Sequence, residues 1–235
     1  MIMKKTQMKE KILINCGDSY ANGDYCWIDT DRVNYDDEWD RSFSYVSILS
    51  KYFKFNKVET ICCGGHSNEQ QLYNFKNFMN GNWDYYSKNT THVLWGTTAL
   101  TRYFLNFKTE FLSKQDINFY KFQKEYLPDE FQLSQLITEF NTIREVCSAY
   151  GISLTVYNTF NSYNIPNAIF NGSDLLSLVT KDYDTSAREC NWKDSDAKTM
   201  FAIKKGYLDP QTKHPSRQGS KKIASLMIQE LLNVY

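Results

Sequence analysis

Short apolar runs rich in β-branched residues alternate along this chain with longer amphipathic stretches, and that alternation limits the architecture more than any other feature. Lys11–Cys16 (KILINC) predicts a first strand, Lys57–Cys63 a second, His92–Trp95 (HVLW) a third and Ile152–Tyr157 (ISLTVY) a fourth. Between them lie helical patterns. Ser42–Phe53 carries Phe43, Val46, Leu49 and Phe53 on one face. Ser67–Met79 opens on a serine with Gln70 three residues later, a capping-box signature, and places Leu72, Phe75 and Met79 together. Phe131–Tyr150 turns Leu133, Leu136, Ile137, Phe140, Ile143 and Val146 inward and stops at Gly151. Ser216–Leu232 aligns Ile223, Leu226, Met227 and Leu231. Strand and helix in repeated succession predict an α/β fold, a parallel sheet covered by helices on both faces, and right-handed crossovers leave only a few doubly wound forms. Residues 104–130 and 158–208 fit the pattern poorly and read as rim insertions. There is no repeat, linker or low-complexity tract, so residues 1–235 read as one domain.

Composition narrows the function classes. The 27 basic and 27 acidic side chains cancel, which argues against a nucleic-acid binder. No run of about 18 apolar residues is present, so neither a spanning helix nor a membrane partner is expected. Met1–Lys11 is polar and lysine-rich, and Ile12–Cys16 is too short for the apolar region of a signal peptide, which predicts a cytoplasmic protein. Cys16, Cys26, Cys62, Cys63, Cys147 and Cys190 show no CxxC pair or regular spacing, so neither metal nor redox chemistry is expected. Aromatic residues reach 16%, a total that an AT-rich genome explains. Their placement is more telling. Phe104, Phe107, Phe111, Phe119, Tyr120, Phe122 and Tyr126 fall in the first insertion, and Phe160, Tyr163 and Phe170 in the second. Both follow predicted strands, which makes a rim or lid of the site.

In sheets of this kind ligands bind beyond the C-terminal strand ends. Gly17-Asp18-Ser19 follows the first strand, with Gly23 four residues after Ser19. A serine in such a turn exposes its hydroxyl as a nucleophile, beside backbone N–H groups that can face an oxyanion. A loop Asp-Ser that only satisfies backbone groups is the plainer alternative. Gly64-Gly65-His66-Ser67-Asn68 follows the second strand, where glycine lets backbone approach a ligand and Ser67 caps the next helix. Gly96-Thr97-Thr98 follows the third, with Arg102 close behind as an anchor for an anionic group or a carboxylate partner. Asp209 and His214 precede the last helix and form a base with its orienting acid. Of the three histidines, His92 starts a strand and reads as structural, His66 lies in the glycine turn within reach of substrate, and His214 is the choice for the base.

In this order, these blocks resemble the SGNH hydrolases, also called GDSL-type esterases and lipases, across nearly the whole chain. The resemblance implies a three-layer α/β/α sandwich with a mostly parallel, flavodoxin-like doubly wound sheet. It implies a serine esterase with Ser19, His214 and Asp209 as catalytic triad. Ser19 and Gly65 would donate backbone N–H groups to the oxyanion hole, and Thr98 stands where the family has asparagine. Asp18, His66, Asn68 and Arg102 are then the substrate-binding candidates. Four residues separate Asp209 from His214, more than the family's usual spacing. The Thr-rich third block followed by Arg102 is similar to SGNH-like proteins of tailed bacteriophages, whose location would be the virion. The substrate would be a small-molecule or glycan ester, an acetyl ester among the candidates, and no cofactor or metal is implied. Two other readings stay open. One is a non-catalytic SGNH-like viral structural or glycan-binding protein, favoured by Thr98 and the stretched Asp209–His214 spacing. The other is a nucleotide-binding domain using the Gly64-Gly65 turn, which lacks a GxGxxG or P-loop lysine.

Overall fold

The computed structural model describes residues 9–23, 42–62, 66–98, 100, 129–159, 162–181, 194–210 and 212–232. In chain order the elements are β1 (Lys11–Cys16), α1 (Ser19–Asn22), α2 (Tyr45–Tyr52), β2 (Lys57–Thr60), α3 (Asn68–Met79), α4 (Trp83–Ser87), β3 (Thr90–Thr97), α5 (Asp129–Ala149), β4 (Ser153–Asn158), α6 (Leu175–Val179), α7 (Asp194–Lys204) and α8 (Arg217–Leu231). The strands form one sheet in the order β2-β1-β3-β4, and every pair is parallel. Helices cover both faces, so the chain has the expected α/β architecture.

Strand alternation divides the interior in two. Ile12, Ile14 and Cys16 of β1 point to one face, with Val93 and Trp95 of β3 beside them. There Leu72, Phe75 and Met79 of α3 and Leu136, Phe140 and Ile143 of α5 close over them. Leu13 and Leu94 point the other way, onto Tyr45 and Leu49 of α2, Leu175 of α6, and Ile223 and Met227 of α8. Trp95 anchors the first core: its ring lies edge-on to Phe140 at 5.2 Å, and its indole N–H donates to Gln71 Oε1 at 2.8 Å.

The strand ends depart from the sequence reading for a physical reason. β3 runs from Thr90 to Thr97, longer than its apolar stretch, because it is paired on both sides and Thr91, Gly96 and Thr97 remain in the ladder. β2 stops at Thr60, because it is a largely exposed edge strand with one neighbour. The residues from 158 to 208 hold the helices α6 and α7, where the sequence suggested only an insertion. Tyr163 and Phe170 of that segment pack against the two cores, Tyr163 also accepting the Leu100 N–H at 3.2 Å, so they are core filling here. Phe160 and the aromatic residues of the first insertion lie outside the described residues.

His92 sits inside β3 and is structural, as its position suggested. Burial, with the nearby Lys11 cation second, pushes its pKa down from 6.5 to about 4. An unfolded chain therefore takes up this proton between pH 6.5 and 4 while the folded chain does not. Stability should fall as the pH is lowered through that window, by about 1.4 kcal/mol per unit from this group. Denaturant melts at pH 7, 6 and 5 check the slope; His92→Gln should flatten it, and an equally steep variant would assign the effect elsewhere.

Candidate active site

The switch point of the sheet lies between β1 and β3, the two central strands; β1 ends at Gly17, and β3 carries Gly96 one residue before its end. Gly17 leaves β1 with φ of +150°, where a Cβ would sit 2.5 Å from the Ala21 Cβ and 3.2 Å from the Gly96 carbonyl oxygen. Only a glycine lets the chain bend this tightly over the sheet. Asp18 then caps α1, its carboxylate accepting the Tyr20 N–H at 3.0 Å. Ser19 is the first residue of α1, so its own N–H has no partner within the helix.

The other half of the site comes from the far end of the chain. Leu208 and Pro215 form an antiparallel bridge that closes a turn over residues 209–214. Asp209 N–H donates to the His214 carbonyl at 2.9 Å, and Lys213 N–H donates to the Asp209 carbonyl at 3.0 Å. The turn delivers His214 Nε2 to 2.8 Å from Ser19 Oγ, across 195 positions of sequence. The other ring nitrogen, Nδ1, is 3.0 Å from the Thr212 carbonyl oxygen. With the proton on Nδ1, Nε2 presents a lone pair to the Ser19 hydroxyl, the arrangement of a general base.

The Asp209 carboxylate is buried within the same turn. Its Oδ1 accepts the Thr212 N–H at 2.6 Å and the Thr212 hydroxyl at 2.9 Å. Tyr20 braces the turn from the side of Ser19. Its ring lies 5.0 Å from that of His214, and its hydroxyl donates to the Lys213 carbonyl.

Behind Ser19 is a buried polar layer. The Thr98 hydroxyl donates to Asp18 Oδ2 at 3.1 Å. The Thr98 main chain meets the Asn68 amide at both ends: Thr98 N–H donates to Asn68 Oδ1 and Asn68 Nδ2 donates to the Thr98 carbonyl, each at 2.9 Å. Asn68 thus ties α3 to the end of β3. Asp18 and Asn68 hold backbone and Thr98 in these bonds, which tie the end of β3 to α1 and α3. Beneath them Tyr45 and Tyr157 share a hydroxyl–hydroxyl bond of 2.7 Å, and burial raises the pKa of both phenols, so they stay neutral. Gly96 leaves room for that pair, since a Cβ there would come 2.6 Å from the Tyr157 hydroxyl.

His66 stands just before the Ser67 cap, its Nδ1 3.2 Å from Asn74 Nδ2, and partial burial lowers its pKa. Gly65 and Arg102 lie outside the described residues. The structure therefore brings together Ser19, His214, Asp209, Asp18, Thr98 and Asn68. Sequence reasoning passed over Thr212 and Tyr20. The long gap between Asp209 and His214, enough for a turn with a residue of its own to place, was the available signal for Thr212. Among the described residues no group of three or more His, Cys, Asp or Glu side chains is placed to hold a metal ion. No described helix is long and apolar enough to cross a membrane.

No protein-family model matches the sequence, and no curated protein matches it. Solved structures do. A lipolytic protein of the G-D-S-L family from Desulfitobacterium hafniense aligns over 94% of this chain and 99% of its own, at 11% identity and a TM-score of 0.48. The psychrotrophic esterase EstA from a Pseudoalteromonas species aligns over 95% of this chain and 100% of its own, at 14% identity and a TM-score of 0.45. A family two carbohydrate esterase from Clostridium thermocellum, in complex with cellohexaose, aligns over 97% of this chain and 65% of its own, at 13% identity and a TM-score of 0.46.

Proposed function

We propose that this chain is a serine ester hydrolase of the SGNH type, with Ser19 as nucleophile and His214 as base. One observation carries the reading: the 2.8 Å contact between Ser19 Oγ and His214 Nε2 at the C-terminal edge of β1. Ser19 attacks an ester carbonyl as His214 takes its proton. Negative charge then develops on the carbonyl oxygen, and the Ser19 N–H, at the open start of α1, is a donor for it. Gly65 N–H is the second donor in this reading. His214 next passes its proton to the departing alcohol, and water releases the acyl group from Ser19. Asp209 completes the triad by holding the turn that carries His214. The substrate is a small-molecule or glycan ester, with His66 and Arg102 as the substrate contacts.

The Thr98 hydroxyl adds a second reading. It is donated to Asp18 at 3.1 Å, which leaves the oxyanion hole to backbone donors. Losing one such donor costs about 10²–10³ in rate, so a non-catalytic SGNH-like viral or glycan-binding module fits that feature. A fluorophosphonate probe separates the two. An active site labels at Ser19, read by mass spectrometry of the modified peptide. Folded protein that stays unlabelled while a control esterase reacts would leave the binding module.

A further inference from the structure

The hydrogen bonds of the base are unequal in kind. On one side Nε2 of His214 faces the Ser19 hydroxyl; on the other, Nδ1 faces a main-chain carbonyl, that of Thr212, at 3.0 Å. The carboxylate of the turn, that of Asp209, spends its Oδ1 on Thr212, holding both the N–H at 2.6 Å and the hydroxyl at 2.9 Å. The Thr212 hydroxyl also lies 3.3 Å from the His214 N–H.

We infer that the Thr212 carbonyl orients His214, and that Asp209 is a positioning residue acting through Thr212. The inference rests on Ser19 and His214 being nucleophile and base. Three facts support it independently of one another. A carbonyl oxygen only accepts, so the bond to Nδ1 selects the tautomer with its proton there and leaves Nε2 free to take the Ser19 proton. The carbonyl is held from both sides: the carboxylate fixes the N–H and hydroxyl of Thr212, and the Lys213 N–H, in the same peptide plane as the carbonyl, donates to the Asp209 carbonyl at 3.0 Å. The turn itself is closed at both ends, by the Asp209–His214 main-chain bond and by the bridge from Leu208 to Pro215. The longer spacing between Asp209 and His214 then has a use: it lets the turn bring the Thr212 carbonyl against the ring. Tyr20 steadies the outer side through the Lys213 carbonyl and its ring contact.

The chemical difference is testable because asparagine can imitate part of one role and not the other. An amide oxygen at position 209 still accepts from Thr212, though as a weaker neutral partner. A carboxylate bonded to the imidazole itself has no such substitute, and its loss leaves the wrong tautomer at a cost of about 10⁴ in kcat. The experiment is ¹⁵N NMR of imidazole-labelled full-length chain, with kcat and KM for a short p-nitrophenyl ester. The wild type should show His214 as the Nδ1–H tautomer. Asp209→Asn should keep that tautomer and lose about tenfold in kcat, with KM little changed. Asp209→Ala should lose the fixed tautomer and about 10² or more in kcat, the cost of a misplaced base. Rescue by asparagine relative to alanine is the signature expected.

If Asp209→Asn shifts the ring to the Nε2–H tautomer, or costs about 10⁴, the carboxylate orients the imidazole directly and the inference fails. It fails equally if Asp209→Ala changes neither readout. Thr212→Val provides a second measurement should the alanine variant not fold. It keeps the carbonyl and removes the hydroxyl, and should retain the Nδ1–H tautomer with a loss of about tenfold or less. The tautomer is read without turnover. A wild type that never labels at Ser19 but holds Nδ1–H therefore counts against the proposed activity alone. A protein that labels at Ser19 and flips its tautomer in Asp209→Asn counts against this inference alone.

Discussion

Ser19→Ala is expected to lower kcat for a short p-nitrophenyl ester by about 10⁴–10⁶, with the fold intact. The serine Oγ is the protein atom that bonds to the substrate carbonyl in the proposed mechanism, and alanine in its place has nothing for His214 to deprotonate. What remains are binding and backbone donors, which hold a residual rate above that of water. His214→Ala should fall nearly as far, because a hydroxyl without its base is a weak nucleophile. The two act as a unit, so the double variant should be little worse than either single one. That pattern reads the 2.8 Å contact as a working pair. Circular dichroism matched to the wild type shows that loss of rate is not loss of structure. Turnover unchanged by Ser19→Ala would sink the proposed mechanism, and losses that simply multiply in the double variant would show two groups acting apart.

The strands of this fold were legible because β-branched runs such as KILINC and ISLTVY have few other uses, and a chain alternating them with amphipathic helices has few arrangements. Their ends were less so. The pairing of β3 on both sides carries Thr91 and Thr97 into the ladder despite their polarity, a tertiary effect that no local pattern contains. Ser19 and His214, the proposed nucleophile and base, stand out in the sequence for a related reason: each residue type has a chemistry, and each follows or precedes a predicted element at the strand-end edge. The part played by Thr212 was not legible, since every residue carries a main-chain carbonyl, and the sequence records side chains rather than main-chain directions. The partner of Thr98 was hidden likewise. A hydroxyl after β3 can face a substrate or a neighbour, and here the buried carboxylate of Asp18 claims it. The aromatic surplus divides between places the sequence could not tell apart. Trp95, Tyr45, Tyr157, Phe75 and Phe140 are fully buried filling, with Tyr163 and Phe170 packed beside them.

Gly219→Ala should destabilise the chain by about 3–5 kcal/mol, far outside the usual range for a surface helix position. Helix propensity alone argues for the opposite sign, since alanine in a helix is favoured over glycine by about 1 kcal/mol. Packing decides against it. Gly219 lies in the first turn of α8, and a Cβ there would sit 1.9 Å from the Tyr207 carbonyl oxygen and 2.9 Å from its carbon. The obstacle is backbone, which no rotamer change relieves. It is also backbone already in use: the Tyr207 carbonyl accepts the Ser216 N–H at 3.0 Å, and Ser216 Oγ accepts the Gly219 N–H at 3.1 Å as the cap of α8. Relief therefore requires α8 to lift from Tyr207, next to the Leu208–Pro215 bridge that closes the turn of His214. A thermal melt should show a fall of about 6–20 °C for a domain of this size. Gly151→Ala is the matched control. It has positive φ of +68° but nothing within 4 Å of its Cβ, so it should cost only the 1–2 kcal/mol or so of left-handed backbone. A Gly219→Ala variant no less stable than that control would mean that α8 and Tyr207 do not approach this closely. A variant destabilised as expected, and with kcat reduced beyond what residual unfolding explains, would tie the position of the base to the packing of the last helix.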